Sequence, residues 1–333
     1  MPSPGEIYGF LYGQLAQTPP KPIKSFAGRT VIVTGGNSGL GLEAAKQIVH
    51  LNVSHLILGC RNVIKGEEAK RSIQSSCRPS KEPLIEVWPI DMAKYDSVLT
   101  FGQRARTKLP RLDALILNAG VELYQFELAE GIESSLTINV VSTMLLAQLL
   151  LPKLQETADT QRRDTHMTLV GSMIHIFGNS KQLQDAEHGE IFKKMSDPQT
   201  DMSGRYPTSK LVLTLAIRDL VARNDKSAKN KSSRVIINDV NPGWCKTNLF
   251  RHDDPGFAKQ MALRTMVRTG EMGARTLTHA ASAGRETHGK YLSECQVKPE
   301  SKFVRSKAGM QLQERLGVEL SELLNRIQPG VAP

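Results

Sequence analysis

The sequence predicts a doubly wound α/β fold, in which helices cover both faces of a parallel sheet of about seven strands. Six short apolar or β-branched runs alternate with longer segments whose apolar residues recur at helical spacing. This alternation is typical of parallel strands joined by crossover helices. In addition, the stretch VTGGNSGLG at 33–41 places four glycines directly after the first run. A glycine-rich turn at this place is typical of a strand that passes directly into a helix.

The strands are predicted from the apolar runs, and the helices from apolar residues three or four positions apart. The predicted strands lie at 30–34, 55–59, 84–89, 114–118, 167–172 and 235–240, with a short seventh near 290–292. The predicted helices lie at 40–51, 63–70, 95–108, 132–154 and 209–223.

We expect a single domain at 26–333, preceded by a lead-in at 1–25, because one large α/β domain can hold a chain of 333 residues. Apolar residues at 10–12 and 15 suit a short amphipathic segment in the lead-in, and a disordered tail is the open alternative. Two insertions, near 178–205 and 253–283, interrupt the alternation. Both follow strand ends, where open α/β sheets bind ligands, so we expect them on the substrate side.

The composition argues against several classes of protein. The formal charge of +10 is spread along the chain and aromatic residues make up 5%, so no basic and aromatic stripe indicates nucleic-acid binding. The positive charge suits an anionic cofactor or substrate, or is a general property of the surface. No apolar run approaches the roughly 20 residues of a transmembrane span, and the N-terminus does not resemble a secretory signal, so we expect a cytoplasmic protein. The four cysteines lack metal-ligand spacing, and we expect no metal.

The glycine-rich stretch is the first candidate binding site. Glycines at the start of a helix let the backbone approach a pyrophosphate, while the helix N-terminus offers free N–H groups and positive potential. The spacing of Gly35, Gly39 and Gly41 differs from the GxGxxG fingerprint, and a glycine turn needed only for packing is the alternative. We expect these glycines to bind a dinucleotide, with loop contacts from Asn37, Ser38 and Leu40.

The residue that follows the second predicted strand bears on the choice between NADP and NAD. An acidic residue about 20 positions past the glycines would bind the ribose 2′-hydroxyl of NAD, but Arg61 is found there. A guanidinium can pair with a 2′-phosphate, so NADP(H) is favoured over NAD(H). A solvated surface arginine is the alternative.

Further candidates end the third and fourth predicted strands, whose carboxyl ends face the cofactor in such a sheet. We expect Asp91 to accept a hydrogen bond from the adenine amine, and Asn118 to brace the neighbouring strand. Their neighbours along the chain complete the predicted contacts: Met92, Ala119 and Gly120.

A tyrosine and a lysine are spaced for acid–base chemistry in the stretch YPTSK at 206–210. Because they are four residues apart on a predicted helix, Tyr206 and Lys210 share one face. A nearby ammonium lowers the pKa of a tyrosine, which is about 10 when free, and makes the phenol a usable general acid or base. We therefore expect Lys210 to lower the pKa of Tyr206.

The order of these residues resembles that of the short-chain dehydrogenase/reductase family, over about 26–250 of the chain. The resemblance is carried by TGxxxGxG at 34–41, Asp91, Asn118-Ala119-Gly120, Asn139, Ser172, Tyr206-xxx-Lys210 and Pro242-Gly243 with Thr247. It implies a Rossmann-type fold and an oxidoreductase that acts on CH–OH groups with NAD(P).

The resemblance also implies a role for each residue. Tyr206 would donate a proton to the carbonyl oxygen, or accept one in oxidation, and Ser172 would hydrogen-bond the same oxygen. Lys210 would hold the nicotinamide ribose, and Asn139 would hold a water in the proton relay. The nicotinamide end of the cofactor would lie against Pro242, Gly243 and Thr247.

Two features depart from the commonest family pattern. Ser172 and Tyr206 are 34 positions apart, whereas many members join them by a short loop. Met173 stands where a second small hydroxyl residue is frequent, so we expect different hydrogen bonding on the substrate side. The long loop and the chain ends resemble the retinol-dehydrogenase-like branch and related fungal secondary-metabolism reductases.

We expect an NADP(H)-dependent carbonyl reductase or alcohol dehydrogenase that acts on a ketone, aldehyde or secondary alcohol. The apolar-rich insertions indicate a large apolar substrate, of the polyketide or terpenoid kind. Two alternatives stay open: a non-redox cyclisation or isomerisation by Tyr206 and Ser172, and a non-catalytic NADP(H) sensor. The resemblance also implies a homo-oligomer formed through two long helices.

Overall fold

The structure, a computed structural model, describes residues 2–77, 79–227, 234–246 and 267–332. Its strands are β1 (Thr30–Thr34), β2 (His55–Cys60), β3 (Leu84–Pro89), β4 (Ala114–Leu117), β5 (Leu128–Ala129), β6 (Ile132–Glu133), β7 (Thr165–Val170), β8 (Val235–Asn241), β9 (Tyr291–Ser293) and β10 (Gln296–Lys298). The small β5–β6 hairpin stands apart from the main sheet.

The main sheet has eight strands in the order β10-β9-β8-β7-β4-β1-β2-β3. Every neighbouring pair is parallel except β9 with β10. The predicted doubly wound parallel sheet of about seven strands is confirmed, with β10 as an additional antiparallel edge. The chain reverses its winding between β1 and β4, and such a reversal opens a crevice at the carboxyl ends of those strands.

Helices pack on both faces of the sheet, as predicted. They are α1 (Pro4–Ala16), α2 (Gly39–His50), α3 (Val63–Ser76), α4 (Tyr95–Lys108), α5 (Ser134–Leu136), α6 (Ser142–Gln161), α7 (Ser180–Gln184), α8 (Ile191–Met195), α9 (Arg205–Ser227), α10 (Gly270–Ala280) and α11 (Lys307–Ile327). The side chains of β1 point alternately to the two helix layers that cover the sheet. Ile32 packs in the core of α4, α6, α9 and α11, whereas Val31 and Val33 pack in the core of α2, α3 and α10.

The helix predicted at 132–154 begins differently in the structure. Residues 132–133 form β6, α5 is a single turn, and Thr137–Val141 is a π-helical turn that leads into α6. Periodicity misses this start because a π turn adds a residue without interrupting the apolar run. The predicted helix at 209–223 is also longer, and α9 extends it by four residues at each end.

One helical segment in the described part of the chain, Ser134–Gln161, is long and apolar enough to cross a membrane. However, 89% of its most apolar window is buried inside the protein. A buried core helix passes the same test of length and composition, and the burial of this segment matches that interpretation.

The insertion at 178–205 is tied to the core near its middle and at its C-terminal end. In the middle, the Glu319 carboxylate on α11 accepts hydrogen bonds from the backbone N–H groups of Ile191 and Phe192, at 2.9 and 2.8 Å. At the C-terminal end, the buried Arg205 lies 3.7 Å from the buried carboxylate of Glu133. Part of the second insertion, 253–266, lies outside the described residues, and its described part contains α10.

Helix α11 was not among the predicted elements, although the sequence contains its signals. Ser306 begins it by accepting a hydrogen bond from the Gly309 N–H at 3.1 Å. Its buried residues then recur every four positions: Leu312, Leu316, Leu320 and Leu324. This spacing is that of one helix face against a core.

The lead-in at 1–25 contains the helix α1. Of the two alternatives, an amphipathic segment and a disordered tail, the structure therefore has the ordered segment. Its first turn is a capping box, in which the Ser3 hydroxyl accepts from the Glu6 N–H at 3.4 Å and the Glu6 carboxylate accepts from the Ser3 N–H at 2.7 Å. Reciprocal capping satisfies two backbone donors that would otherwise lack partners in the helix.

Candidate active site

A cleft of about 1680 Å³ lies at the carboxyl ends of the parallel strands. Most of the residues singled out in the sequence line it: Gly35, Asn37, Ser38, Gly39, Leu40, Arg61, Asp91, Met92, Asn118, Ala119, Gly120, Ser172, Tyr206, Lys210, Pro242 and Gly243. Gly41 and Asn139 support the lining from behind, and Thr247 lies outside the described residues. Ordinary small-molecule sites measure roughly 300–1,000 Å³, so this cleft has room for a dinucleotide and a second molecule.

The glycine turn is packed so closely that side chains are excluded. Gly35 has a φ of +66°, which favours glycine. A Cβ on Gly41 would lie 2.4 Å from the Gly35 oxygen and 2.6 Å from Nδ2 of Asn118. These two glycines therefore bring the start of α2 against the turn and against the end of β4.

The start of α2 fits an anionic group. Ser38 occupies the N-cap position, but its side chain makes no capping hydrogen bond. The backbone N–H groups of the first turn are therefore available to a ligand in the cleft, and helix N-termini of this kind bind phosphate groups.

Asn118 joins the ends of β1 and β4. Its Nδ2 donates to the Thr34 backbone oxygen at 2.9 Å, and the Thr34 hydroxyl accepts from the backbone N–H groups of Asn118 and Ala119 at 3.0 and 3.1 Å. These bonds fix the floor of the cleft. Asp91 also lines the cleft, and its side chain accepts a hydrogen bond from the Ala93 N–H at 3.1 Å.

The end of β2 presents two cationic side chains. Arg61 follows the strand, and Lys65 lies in the first turn of α3, where Asn62 caps the helix by accepting from the Lys65 N–H at 3.0 Å. Arg61 and Lys65 are both exposed and both line the cleft. The sequence analysis did not single out Lys65 as a candidate for cofactor binding. Only its position three residues after the helix cap Asn62 could have indicated that it lies near Arg61.

Lys210 lies on α9, and its ammonium is held at the end of β7. Nζ donates to the Val170 backbone oxygen at 2.8 Å and lies 5.7 Å from the centre of the Tyr206 ring. Burial lowers the pKa of Lys210 to about 8, and the charge of Asp239 on β8 opposes that shift.

Ser172 is positioned to donate its hydroxyl hydrogen. Its Oγ accepts from the Ile174 N–H at 3.2 Å, and its side chain is close enough to Tyr206 to lower the pKa of that phenol. Because one acceptor site is used by Ile174, the hydroxyl hydrogen can point towards Tyr206 and the cleft.

Two residues missed in the sequence hold the segment after Ser172. His175 Nε2 accepts from the Ser301 N–H at 3.1 Å, so its Nδ1 carries the hydrogen that is donated to the Ser172 backbone oxygen at 2.7 Å. Asn241 Oδ1 accepts from the N–H groups of Met173 and Gly243, at 2.9 and 3.1 Å. No local motif marks either residue, because Ser301 is distant from His175 in the sequence and Met173 is distant from Asn241.

The pKa of Tyr206 is shifted in the direction opposite to the expected one. Burial raises it well above the usual range of tyrosine, and the charge of Glu122 adds to the increase, whereas the Ser172 hydroxyl lowers it. The structure therefore does not have the lowered pKa that was expected from Lys210, because burial dominates and Lys210 is not among the groups that shift the pKa of Tyr206. The phenol holds its proton at neutral pH.

The Asn139 side chain braces the strand end beside Tyr206. Its Oδ1 accepts from the Val121 N–H at 2.9 Å, and its Nδ2 donates to the Val121 oxygen at 2.9 Å and to the Ser209 hydroxyl at 3.1 Å. Both amide hydrogens are thus committed to protein atoms. Asn139 lies in the π-helical turn, which is a common place for functional residues.

Known proteins resemble this chain along almost its whole length. The family described as short chain dehydrogenase matches residues 29–181. The short chain dehydrogenase/reductase dmxR8 of Cryptosporiopsis sp. is 40% identical over 326 residues, which cover 97% of this chain and 98% of that protein. This chain belongs to the short-chain dehydrogenase/reductase family. The short-chain dehydrogenase anuD of Penicillium roqueforti is 37% identical over 97% of this chain and 84% of its own length.

Solved structures of other proteins have the same fold. The Pseudomonas aeruginosa RhlG/NADP active-site complex has a TM-score of 0.61 at 20% identity, covering 80% of this chain and 95% of that one. The 3-oxoacyl (acyl-carrier-protein) reductase of Agrobacterium tumefaciens with NADP bound has a TM-score of 0.60 at 17% identity, covering 80% and 93%. Membership of the short-chain dehydrogenase/reductase family makes this protein an oxidoreductase of the CH–OH class.

Proposed function

We propose that this short-chain dehydrogenase/reductase is an NADP(H)-dependent carbonyl reductase for a large apolar ketone or aldehyde. The observation that carries the proposal is the placement of Ser172 and Tyr206, whose hydroxyl groups interact and which both line the cleft beside Lys210. A non-catalytic sensor has no need of two adjacent hydroxyl donors and a buried lysine.

The residues of the cleft fit NADP(H). The N-terminus of α2 would hold the pyrophosphate, Arg61 and Lys65 would hold the 2′-phosphate, and Lys210 would hold the nicotinamide ribose. Two cations near the ribose strengthen the preference for NADP(H) beyond what a single arginine supports. The neighbouring structures that contain NADP are consistent with this choice.

When bound, the cofactor supplies the hydride that reduces the carbonyl carbon. The protein polarises the carbonyl oxygen, because the hydroxyls of Ser172 and Tyr206 can both donate to it. Tyr206 then transfers its phenolic proton to that oxygen. The raised pKa of Tyr206 suits this direction, since the phenol is protonated at neutral pH before reduction begins.

The substrate end of the cleft favours apolar molecules. Met173, Ile174 and Phe177 line it after β7, and Trp244 lines it after β8. A carbonyl compound of polyketide or terpenoid size would bury apolar surface there. The Glu122 carboxylate also lines the cleft, where its charge raises the pKa of Tyr206.

The test is the Tyr206→Phe variant, which removes the proton and leaves the ring. We expect the wild type to consume NADPH with members of a panel of apolar ketones and aldehydes. The variant should lose about 10²–10⁴-fold in kcat and retain its affinity for NADPH, measured by fluorescence titration. Unchanged turnover in the variant would refute the acid role of Tyr206. Product formation with a redox-inert NADP analogue would instead indicate a non-redox reaction.

A further inference from the structure

Helix α1 has one face turned inward, onto the protein. The residues at 6, 10, 13 and 14, and the C-cap residue at 17, are partly or fully buried, whereas the others on this helix are exposed. Such spacing of three and four residues lies along one side of a helix. The exposed side includes Tyr8 and Tyr12, whose rings stack at 6.2 Å.

The inward face is fixed to the wall of the cleft. Gln14 Nε2 donates to the Trp244 backbone oxygen at 2.9 Å, and Gln14 Oε1 accepts from the Trp244 N–H at 2.8 Å. The buried Arg268 also donates to the backbone oxygens of Gly13 and Gln17. One turn before Phe10, the Glu6 carboxylate accepts from the Lys302 N–H at 2.7 Å. Helix α1 is therefore bound on both sides of Phe10.

Phe10 lies between these two attachments and lines the same cleft as Tyr206. Its position is set by the helix, because Gln14 is one turn further along the same face and holds the segment that begins at Pro242 and Gly243. This segment is the one that would lie against the nicotinamide end of a bound cofactor, where the substrate must approach, and Phe10 lines the cleft beside it.

We propose that α1 forms a wall of the substrate site and that Phe10 is a specificity-determining residue for carbonyl compounds that carry aromatic rings. The proposal rests on the proposed reductase function. It assigns to the lead-in a direct part in substrate recognition.

The aromatic class follows from the side chains that face the cleft on three separate elements. Phe10 is on α1, Phe177 ends the short helix after Ser172, and Trp244 follows β8. Phe177 remains 45% exposed although it borders the cleft, so its ring offers apolar surface to a ligand. Aromatic side chains gain additional attraction from ring pairs at suitable angles, beyond the area they bury.

The experiment compares Phe10→Ala with Tyr8→Ala, which removes a ring that is 70% exposed on the outward side of the same helix. Phe10→Leu keeps an apolar side chain and removes only the ring. The probes are benzophenone, an aromatic ketone, and cyclohexanone, a small ketone without an aromatic ring. Their Kd values are measured on the NADP⁺-loaded full chain by calorimetry, and their turnover by NADPH consumption.

We expect Phe10→Ala to raise the Kd of benzophenone roughly tenfold, because the apolar surface that the Phe10 ring would bury against the ligand is removed. Phe10→Leu should raise it by less, and Tyr8→Ala by less than twofold. The Kd of NADPH should stay within twofold in all variants, which also shows that they are folded. The Kd of cyclohexanone should change less than that of benzophenone.

Equal effects of Phe10→Ala and Tyr8→Ala, or equal weakening of both ketones, would overturn the role of Phe10. Failure of the wild type to bind benzophenone would overturn the aromatic class. A further outcome is that benzophenone binds in a way that depends on Phe10 while no carbonyl compound leads to NADPH consumption. That result would support the role of α1 as a wall of the site and refute the reductase function. The two proposals therefore fail separately.

Discussion

Thr214, which lies one helical turn after Lys210 on α9, donates its hydroxyl hydrogen to Oδ2 of Asp239 at 2.8 Å. This contact places a buried carboxylate beside the buried ammonium of the active site. Burial raises the pKa of Asp239 to about 7, while Lys210 and Thr214 oppose the shift. Each member of this pair stabilises the charged form of the other.

The first prediction concerns the pH dependence of cofactor binding. The pKa of Lys210 is about 8, so its ammonium is lost as the pH rises through that value. Asp239→Asn removes the charge that holds this pKa up, and the pKa of Lys210 should fall further. We expect the affinity for NADPH to decline at a pH about one unit lower than in the wild type, measured by fluorescence titration from pH 6 to pH 9.

The control for this change is Asp96→Asn, the same substitution at an exposed acid in the first turn of α4. Its binding profile should coincide with that of the wild type. If the profile of Asp239→Asn also coincides with the wild type, Asp239 does not support the charge of Lys210. The charged groups that act on Asp239 besides Lys210 include Glu300, whose charge favours the neutral carboxyl.

The second prediction concerns the choice of cofactor. Arg61→Ala should raise the KM for NADPH by about 10-fold to 100-fold, because a charge-assisted hydrogen bond to the 2′-phosphate contributes about 1.5–3 kcal/mol. The KM for NADH should change much less. Lys65→Ala should act in the same direction with a smaller effect.

Arg71→Ala is the matched control, since it removes the same charge from an exposed position of α3 that does not line the cleft. Steady-state kinetics with both cofactors separate a local contact from a general loss of positive charge. Equal increases in the two KM values would exclude Arg61 as the 2′-phosphate ligand.

The sheet could be predicted from the sequence because each central strand is a compact apolar run followed by a turn. β1 and β3 have the predicted bounds, and α4 does as well. The edge strand β10 has three residues, Gln296–Lys298, which is too short for an alternation to show. Its place depends on pairing with β9, which a local pattern does not record.

The same distinction applies within the site. Lys210 follows Tyr206 at a fixed helical spacing, so a local pattern was enough to single out these two, whereas Ser172 was singled out only by the order of motifs that resembles the family. By contrast, His175 meets Ser301 across 126 positions, and this contact exists only once the chain is folded. The raised pKa of Tyr206 is likewise not predictable from a local pattern, because burial is a property of the whole fold.

The last prediction concerns Gly171, which separates Val170 from Ser172. A Cβ on this residue would lie 2.0 Å from Oδ1 of Asp239. Because Thr214 holds the other carboxylate oxygen, the carboxylate has little freedom to turn away. We expect Gly171→Ala to lower the free energy of unfolding by about 1–3 kcal/mol in urea denaturation, as overpacking of a core does.

A double variant identifies the cause. Adding Asp239→Ala to Gly171→Ala removes the atom that the new methyl group meets, so the pair should be more stable than the sum of the single effects by about 1 kcal/mol or more. Gly9→Ala serves as the control, because a Cβ there has no atom within 4 Å. On α1 this change should be neutral or stabilising, since alanine favours a helix over glycine. Additive single effects would show that the Asp239 carboxylate does not restrict the residue at position 171.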